Sequence, residues 1–351
     1  MKRKALLAAA AALMVVTSCS KESTIPSVSE GQKVSIDVSI VSTITPTKVS
    51  GEVNTSSQAY HKADEAAINS LQVFVFAGDA LDGYAAVESG STEVECTAGT
   101  RDIYCIVNAP SLSQIRTKTA LLATASSMAE DSDNFEMVGY KAGQQITREG
   151  SSQFTVEVSR IASKIVVKAI HNALRVQGPL TVRRVYITNV AGEINYGLDD
   201  IPDAQGVWFN KGGYQVSNNL GSFTQDLDLS AEVASGDSYS VGHYFYAYPN
   251  NNAYVPYNSA GWVPKRTLLV VQVEYNGALY DYPVDLGVDL ESNKMYVINN
   301  LKLVNLGNPD DGGEGGEDEE DIVSGASVEV DVQVVDWGLI LLGDERGEII
   351  I

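Results

Sequence analysis

Residues 33–42, KVSIDVSIVS, indicate the fold class of this chain most clearly. Apolar and polar side chains alternate along this stretch, and the apolar ones are Val34, Ile36, Val38 and Ile40. A period of two is typical of a strand that buries one face against a core. The stretch therefore predicts an amphipathic β-strand.

Strand patterns recur along the rest of the chain. Residues 71–76 form a near-continuous apolar run, which predicts a central strand. Asn276-Gly277 lies between two apolar stretches and is a strong hairpin signal. Residues 112–128 lack alternation and predict a short helix. Further strands are predicted at residues 103–107, 154–158, 182–187, 243–248, 267–275, 278–284, 295–304 and 328–334.

The composition agrees with an all-β protein that acts outside the cell. The chain has 351 residues, of which 30 are Gly and 17 are Tyr, which suits short strands joined by turns. Lys+Arg 24 against Asp+Glu 45 gives a formal net charge of −21, which excludes binding along a nucleic-acid backbone. The length favours two cores, and we expect domains at residues 19–155 and 156–351.

The first residues predict export. Lys2, Arg3 and Lys4 precede an apolar run at residues 5–16 that is too short to span a membrane. The run ends in Val16-Thr17-Ser18-Cys19, which resembles the lipobox of bacterial lipoproteins. That resemblance implies removal of residues 1–18, lipidation of Cys19 with palmitate, and an outer-membrane anchor for the precursor. The alternative is an ordinary signal peptide with an incidental cysteine.

Two further cysteines occur in alternating stretches. If residues 99–102 form a turn, Val94 faces Val107 and Cys96 faces Cys105 across a hairpin. Such a pair could form a disulfide in an oxidising compartment. Alternatively, both cysteines are small buried hydrophobic residues.

The C-terminal part has an unusual distribution of apolar and charged residues. Residues 308–321 hold eight carboxylates among Gly and Pro, which predicts a solvated connector, with calcium binding as an alternative that lacks EF-hand spacing. Two apolar pieces follow Trp337. One interpretation is that they complete the protein's own sheet, and the other is that they add a strand to a neighbouring molecule. They consist of Leu339, Ile340, Leu341, Leu342, Ile349, Ile350 and Ile351.

Together these features resemble a known family. This chain is similar to the fimbrillins of the Bacteroidales in the order of several short motifs. Fimbrillins are the major subunits of type V pili. In this chain the motifs are LQVFVF at 71–76, IYCIVNAP at 103–110, FEMVG at 135–139, RIASKI at 160–165, NKMY at 293–296 and DW at 336–337.

The resemblance implies a fold and a mechanism. Fimbrillins are exported as lipoproteins and have two transthyretin-like β-sandwich domains. A surface protease cuts the loop after the first strand, and the C-terminal strand of another subunit fills the groove that the lost strand leaves. Here the removable strand would be residues 33–42, the cut loop residues 43–62 and the donor strand residues 338–351. The implied partners are other copies of the chain and accessory subunits in an extracellular fimbrium.

One departure concerns the cleavage site. Known members are cut after arginine, but this chain has no Arg between Arg3 and Arg101. The Lys48-Val49 bond is the best candidate in the expected loop, and Lys62 is the second. A protease of different specificity is the alternative.

The sequence offers little support for catalysis, a metal site or a cofactor. Its three histidines, His61, His171 and His243, have neither metal-binding spacing nor a nucleophile motif nearby. We therefore expect a structural protein. The other functions considered are a fimbrial anchor or tip subunit, and a lipoprotein that binds surface glycans. The candidate aromatic platform for glycans is Tyr244, Tyr246, Tyr248, Tyr254, Tyr257 and Trp262.

Overall fold

The structure is a computed structural model. It describes residues 31–42, 65, 67–129, 134–148, 152–199, 202–203, 206–211, 224–253, 255, 262–309, 327–337, 342–343 and 349–350. Within these residues the fold is almost entirely β, with one short helix, which confirms the predicted fold class.

The first part of the chain contains ten strands and the helix. The strands are β1 (Lys33–Ser42), β2 (Leu71–Ala77), β3 (Ala80–Val87), β4 (Ser91–Thr97), β5 (Gly99–Val107), β6 (Ala125–Ser127), β7 (Met137–Ile146), β8 (Ser152–Arg160), β9 (Ser163–Val167) and β10 (Ile170–Asn172). The helix is α1 (Lys118–Leu122), which lies inside the segment predicted to be helical.

The remaining strands are mostly shorter. They are β11 (Leu180–Thr188), β12 (Val190–Ala191), β13 (Glu193–Asn195), β14 (Trp208–Phe209), β15 (Gln225–Asp226), β16 (Ala231–Val233), β17 (Ser238–Tyr239), β18 (His243–Ala247), β19 (Leu268–Tyr275), β20 (Ala278–Asp285), β21 (Lys294–Ile298), β22 (Leu301–Leu303), β23 (Asn308–Pro309), β24 (Val328–Glu329), β25 (Val332–Asp336), β26 (Leu342–Gly343) and β27 (Ile349–Ile350).

The N-terminal strands form one sheet in the order β3-β2-β5-β7-β8-β1-β4. β7 and β8 share only the pairs Met137↔Arg160 and Val138↔Ser159, so the sheet folds there into two layers. The layers enclose an apolar core that includes Ile36, Val73 and Val156. Gly139 allows the close approach at this fold, because a Cβ there would lie 2.1 Å from the carbonyl oxygen of Glu157.

β2 is buried on both faces, as its continuous apolar run predicts. Val73 and Val75 point into the core between the two layers. Phe74 and Phe76 point the other way, into a second core that continues through the C-terminal half of the chain. The N-terminal sandwich is therefore joined to the rest of the molecule by apolar packing.

The C-terminal half contains several sheets around this second core. The larger ones have the orders β15-β11-β19-β20-β23, β18-β9-β21-β25 and β17-β10-β22-β24. The predicted hairpin around Asn276-Gly277 is confirmed by the pairing of β19 with β20. Asn276 and Gly277 both have positive φ, as a tight two-residue turn requires.

Two expectations need correction. β4 pairs with β1, while β5 pairs with β2 and β7, so the predicted hairpin between residues 94 and 107 is wrong. Residues 99–102 are the start of β5 and not a turn, and Arg101 there forms a buried ion pair with Asp82. The predicted boundary between residues 155 and 156 falls inside β8, and the change of sheet comes at residues 161–162.

Candidate strand-exchange site

β1 lies between two strands of its layer. It pairs in parallel with β8, from Ile36↔Ser152 to Ser42↔Val158. On its other side it pairs antiparallel with β4, from Lys33↔Thr97 to Ser39↔Ser91. The strand that the resemblance marks as removable is therefore hydrogen-bonded along both edges.

The inner face of β1 packs its apolar side chains against the core. Ile36 and Val38 are each only 1% exposed, and Val34 and Ile40 pack partly buried against the same core. Burial of each such side chain contributes about 1.5–3 kcal/mol, so the four together contribute on the order of 10 kcal/mol before ordering costs.

The outer face of β1 is polar and weakly bound. Lys33 and Glu95 approach to 3.6 Å with both side chains largely exposed, and the Ser39 and Thr155 hydroxyls lie 3.2 Å apart. Exposed pairs of this kind contribute little to stability. A strand that replaced β1 would therefore need the backbone pairing and the apolar inner face rather than these polar contacts.

The space that β1 fills is defined by its neighbours. Withdrawal of β1 would leave the facing edges of β4 and β8 without hydrogen-bond partners and would open the apolar core beneath them. An open edge beside an apolar slot is a template for another strand. This slot is the feature of the molecule best suited to accept a foreign segment.

The two cysteines near the slot are free thiols. Cys96 lies on β4 opposite Val34, and Cys105 lies on β5 opposite Val73. Both are buried and neither forms a disulfide, so they act as small apolar residues of one core. Burial raises the pKa of Cys96 to about 11 and that of Cys105 to about 12.

The chain reaches its C-terminal segment through β25 and Trp337. β25 pairs with β21 at the edge of its sheet, and the Trp337 backbone N–H donates to the Asn293 carbonyl at 2.8 Å. The Trp337 ring is 3% exposed and packs on Phe135 and Tyr246 at centroid distances of 5.2 and 5.5 Å. The residue before the expected donor segment is thus firmly fixed.

A buried charged cluster surrounds Trp337. We call Glu65, Arg160, Lys164, Tyr246 and Trp337 the Glu65 cluster. The Glu65 carboxylate accepts from Lys164 Nζ at 2.7 Å, from Trp337 Nε1 at 3.0 Å and from the Tyr246 hydroxyl. Arg160 lies over the Trp337 ring at 4.3 Å from its centroid.

Burial shapes the protonation of the cations in the Glu65 cluster. Loss of hydration lowers the pKa of Arg160 to about 10 and lowers that of Lys164, while the nearby Glu65 charge acts in the opposite direction. Buried charges persist in proteins when they are paired and hydrogen-bonded. Sequence reasoning missed this cluster, although Lys164 within an apolar run was a signal for it.

Beyond Trp337 the structure describes two short strands. β26 pairs with β27 through Leu342↔Ile350 and Gly343↔Ile349. Neither of them joins another sheet of the described chain. The other predicted functional positions, Cys19, Lys48, Val49, Leu339, Ile340, Leu341 and Ile351, lie outside the described residues.

The described members of the predicted aromatic platform for glycans do not form one exposed surface. Tyr246 and Tyr248 are buried, with their hydroxyls bonded to Glu65 and Ser126 respectively. Trp262 packs on Trp208 at a centroid distance of 5.2 Å. Tyr254 and Tyr257 lie outside the described residues. Tyr246 and Tyr248 are therefore core residues, and Tyr244 packs partly buried against the same core.

The histidines that are described have structural neighbours. His243 is buried and its Nδ1 lies 2.6 Å from an Asp226 carboxylate oxygen, and His171 Nδ1 lies 3.0 Å from the Ser238 hydroxyl. In the described ranges, no three metal-ligating side chains come together in a way that could hold an ion. No helix among those residues has the length and apolar character needed to cross a membrane.

Comparisons with known proteins cover different parts of the chain. Residues 33–151 match the family described as Major fimbrial subunit protein (FimA). A search of curated proteins gave no match. The family match includes β1 and most of the sheet that holds it.

Solved structures share the fold. A fimbrilin (FimA) from Porphyromonas gingivalis W83 has 14% identity and a TM-score of 0.55, covering 86% of this chain and 97% of its own. A cell adhesion candidate from Parabacteroides distasonis ATCC 8503 has 17% identity and a TM-score of 0.61, covering 88% and 98%. Another, from Bacteroides eggerthii DSM 20697, has 19% identity and a TM-score of 0.53, covering 88% and 97%. The family match over residues 33–151 and the shared fold confirm that this chain is similar to the fimbrillins.

Proposed function

We propose that the protein is a structural subunit of cell-surface fimbriae that polymerises by strand exchange. The family match and the fimbrillin fold support a fimbrial, non-enzymatic role. The observation that carries the mechanism is the position of β1, which is paired on both edges and packed on one face.

In this proposal a surface protease cuts within residues 43–62, and β1 leaves the slot between β4 and β8. The segment at residues 338–351 of a second subunit then enters the slot. Each subunit has one slot and one donor segment, so the contact is head-to-tail and extends into a filament. Adhesion and colonisation would follow from the fibre that the subunits build.

Proteolysis would determine when assembly starts. While β1 is covalently attached, its effective concentration at the slot is high enough to outcompete a donor from another molecule. After the cut β1 can diffuse away. Burial of the donor's apolar face would then contribute on the order of 10 kcal/mol to binding, before the cost of ordering the donor is subtracted. The precursor would stay monomeric until it reaches the protease.

The same proposal covers the precursor. Cys19 would carry a lipid that anchors the exported chain to the outer membrane, and the cut after β1 would release the subunit into the fimbrium. Lys48-Val49 is the preferred bond, and Lys62 also lies on the N-terminal side of Glu65. Accessory subunits would occupy the two ends of the filament.

Limited proteolysis tests this function. Residues 20–351 are digested with a lysine-specific protease, the new N-terminus is sequenced, and the product is examined by electron microscopy. We expect a cut within residues 43–62 followed by filaments, and no filaments when residues 338–351 are deleted. A cut product that stays monomeric would contradict a shaft role and favour an anchor or tip subunit.

A further inference from the structure

Glu65 and Trp337 are neighbours in space although the chain separates them widely. Glu65 is the first described residue after the loop expected to be cut, and Trp337 directly precedes the expected donor segment. The Trp337 Nε1 atom donates to Glu65 Oε2 at 3.0 Å. The region that would become the new N-terminus of the cut subunit and the base of the expected donor segment therefore lie side by side.

The guanidinium of Arg160 is hydrogen-bonded to the main chain of both Glu65 and Trp337. Arg160 Nε donates to the Glu65 carbonyl at 2.7 Å, and an Arg160 Nη atom donates to the Trp337 carbonyl at 3.2 Å. Arg160 is also the last residue of β8, the strand that forms one wall of the slot. The slot wall, the main chain at Glu65 and the base of the donor segment are thus joined through one buried side chain.

We propose that the Glu65 cluster is a positioning site that fixes the base of the donor segment and the new N-terminal region of the cut subunit. This inference rests on the proposed function. The residues concerned act through the segments that they hold, and they need not touch the neighbouring subunit.

The physical reason is the cost of ordering a strand on insertion. Fixing the backbone of each loose residue is unfavourable, so a donor whose base is already held binds more tightly than one that leaves from a frayed strand end. The same contacts limit where the protease can cut without disturbing the buried cluster. A cut before Glu65 keeps its carboxylate beside Lys164 and Arg160, whereas loss of Glu65 would leave two buried cations without it.

Two variants disturb the contacts of the positioning site. Arg160→Lys keeps the charge but removes the planar fork that reaches two carbonyls. Trp337→Phe keeps an aromatic ring in place but removes the donor to Glu65. Asp82→Asn is the matched control, because it weakens the buried Arg101–Asp82 pair of the N-terminal sandwich, which bonds neither segment.

The assay separates donation from acceptance. An uncut chain keeps its own β1 in the slot, so it can donate but cannot accept, and it should stop growing filaments of cut wild-type protein. We expect uncut Arg160→Lys and Trp337→Phe to need about tenfold higher concentration than wild type for half-inhibition, which corresponds to about 1.4 kcal/mol. Uncut Asp82→Asn should inhibit like wild type.

Acceptance is measured with a synthetic peptide of residues 338–351. It should bind cut wild type and both cut cluster variants within about twofold of each other. If the peptide fails to bind cut wild type, the proposed function is wrong. If it binds but the uncut variants inhibit as well as wild type, the positioning role is wrong and strand exchange stands. Equal losses in both assays would indicate general destabilisation and would also overturn the positioning role.

Discussion

Lys164 shows how one residue can carry charge in an apolar strand. Its side chain is fully buried and its ammonium bonds to Glu65 at 2.7 Å. The cost of burying the lysine is offset only because the carboxylate and its other donors complete the pairing. The ion pair therefore stabilises the folded state only as long as both partners are present.

Replacement of Lys164 by methionine should be strongly destabilising. Lys164→Met leaves the Glu65 carboxylate buried without its ammonium partner, and loss of one member of a buried pair costs about 3–5 kcal/mol. Lys168→Met, four residues further on at a half-buried position, should change the free energy of unfolding by less than about 1 kcal/mol. Urea denaturation of both variants measures this difference, and equal effects would contradict it.

The free thiols make stability fall at alkaline pH. The pKa values of Cys96 and Cys105 are raised from 9.0 to about 11 and about 12, so folding holds both thiols in the protonated form. Their contribution is complete below about pH 9 and is lost as the pH rises, by at most about 1.4 kcal/mol per pH unit for each thiol. The raised pKa values of Tyr282 and Tyr296 add to this loss as the pH approaches and passes 10.0.

A double variant isolates the thiol contribution. Cys96→Val with Cys105→Val should lose less unfolding free energy than wild type between about pH 9 and pH 10, because the tyrosines are the same in both proteins and their contribution cancels in the comparison. Urea denaturation across this interval measures both slopes. Identical slopes would show that the thiols do not titrate as buried free groups.

At the scale of elements, close packing of β7 on β8 depends on one glycine. An ideal Cβ at Gly139 would lie 2.1 Å from the Glu157 carbonyl oxygen, which is backbone and cannot move aside cheaply. Gly139→Ala should therefore lower the free energy of unfolding by about 1–3 kcal/mol or more.

Gly90→Ala serves as the control for this substitution. The nearest atom to a Cβ at Gly90 is Ile40 Cγ1 at 3.7 Å, which is ordinary contact, so the change should stay within about 1 kcal/mol. Thermal unfolding of the two variants compares them. A neutral Gly139→Ala would mean that β7 and β8 are further apart than described.

Hydropathy patterns could predict strands but not their partners. The alternation in β1 and the continuous run in β2 correspond to one and two buried faces, as observed. The β4–β5 hairpin was predicted from turn-like residues at 99–102, yet a buried Asp82–Arg101 pair holds these residues in a strand. That contact joins residues distant in sequence, so local pattern could not reveal it.

The candidate site was predictable in part for the same reason. The face of β1 could be read from its period of two, whereas its parallel pairing with β8 is a long-range contact. The Glu65 cluster draws on residues 65, 160, 164, 246 and 337, which no local motif connects. Only a lysine in an apolar run indicated that a buried partner was needed.

At the scale of the whole molecule, strand exchange would join the subunits head-to-tail. The slot belongs to the N-terminal sandwich, and the donor segment follows β25 and Trp337 in the C-terminal half. These two parts lie at different places in one chain, so exchange between copies joins unlike surfaces in a head-to-tail contact that need not close on itself. The filament would then grow as long as cut subunits are supplied.

Cross-linking between subunits tests strand exchange most directly. Thr155 on β8 is exposed and its hydroxyl lies 3.2 Å from that of Ser39 on β1, so it reports on the outer face of any strand in the slot. In a Cys96→Val, Cys105→Val background, Thr155→Cys subunits are mixed with subunits carrying one cysteine at 339, 340, 341 or 342, and the mixture is cut and oxidised. Glu232→Cys on β16 replaces Thr155→Cys as the control.

We expect disulfide-linked dimers at alternate donor positions only, because successive side chains of an inserted strand point to opposite faces. The Glu232→Cys control should give none. Absence of dimers with Thr155→Cys in filaments, or equal yields at all four positions, would contradict insertion of the C-terminal segment between β4 and β8.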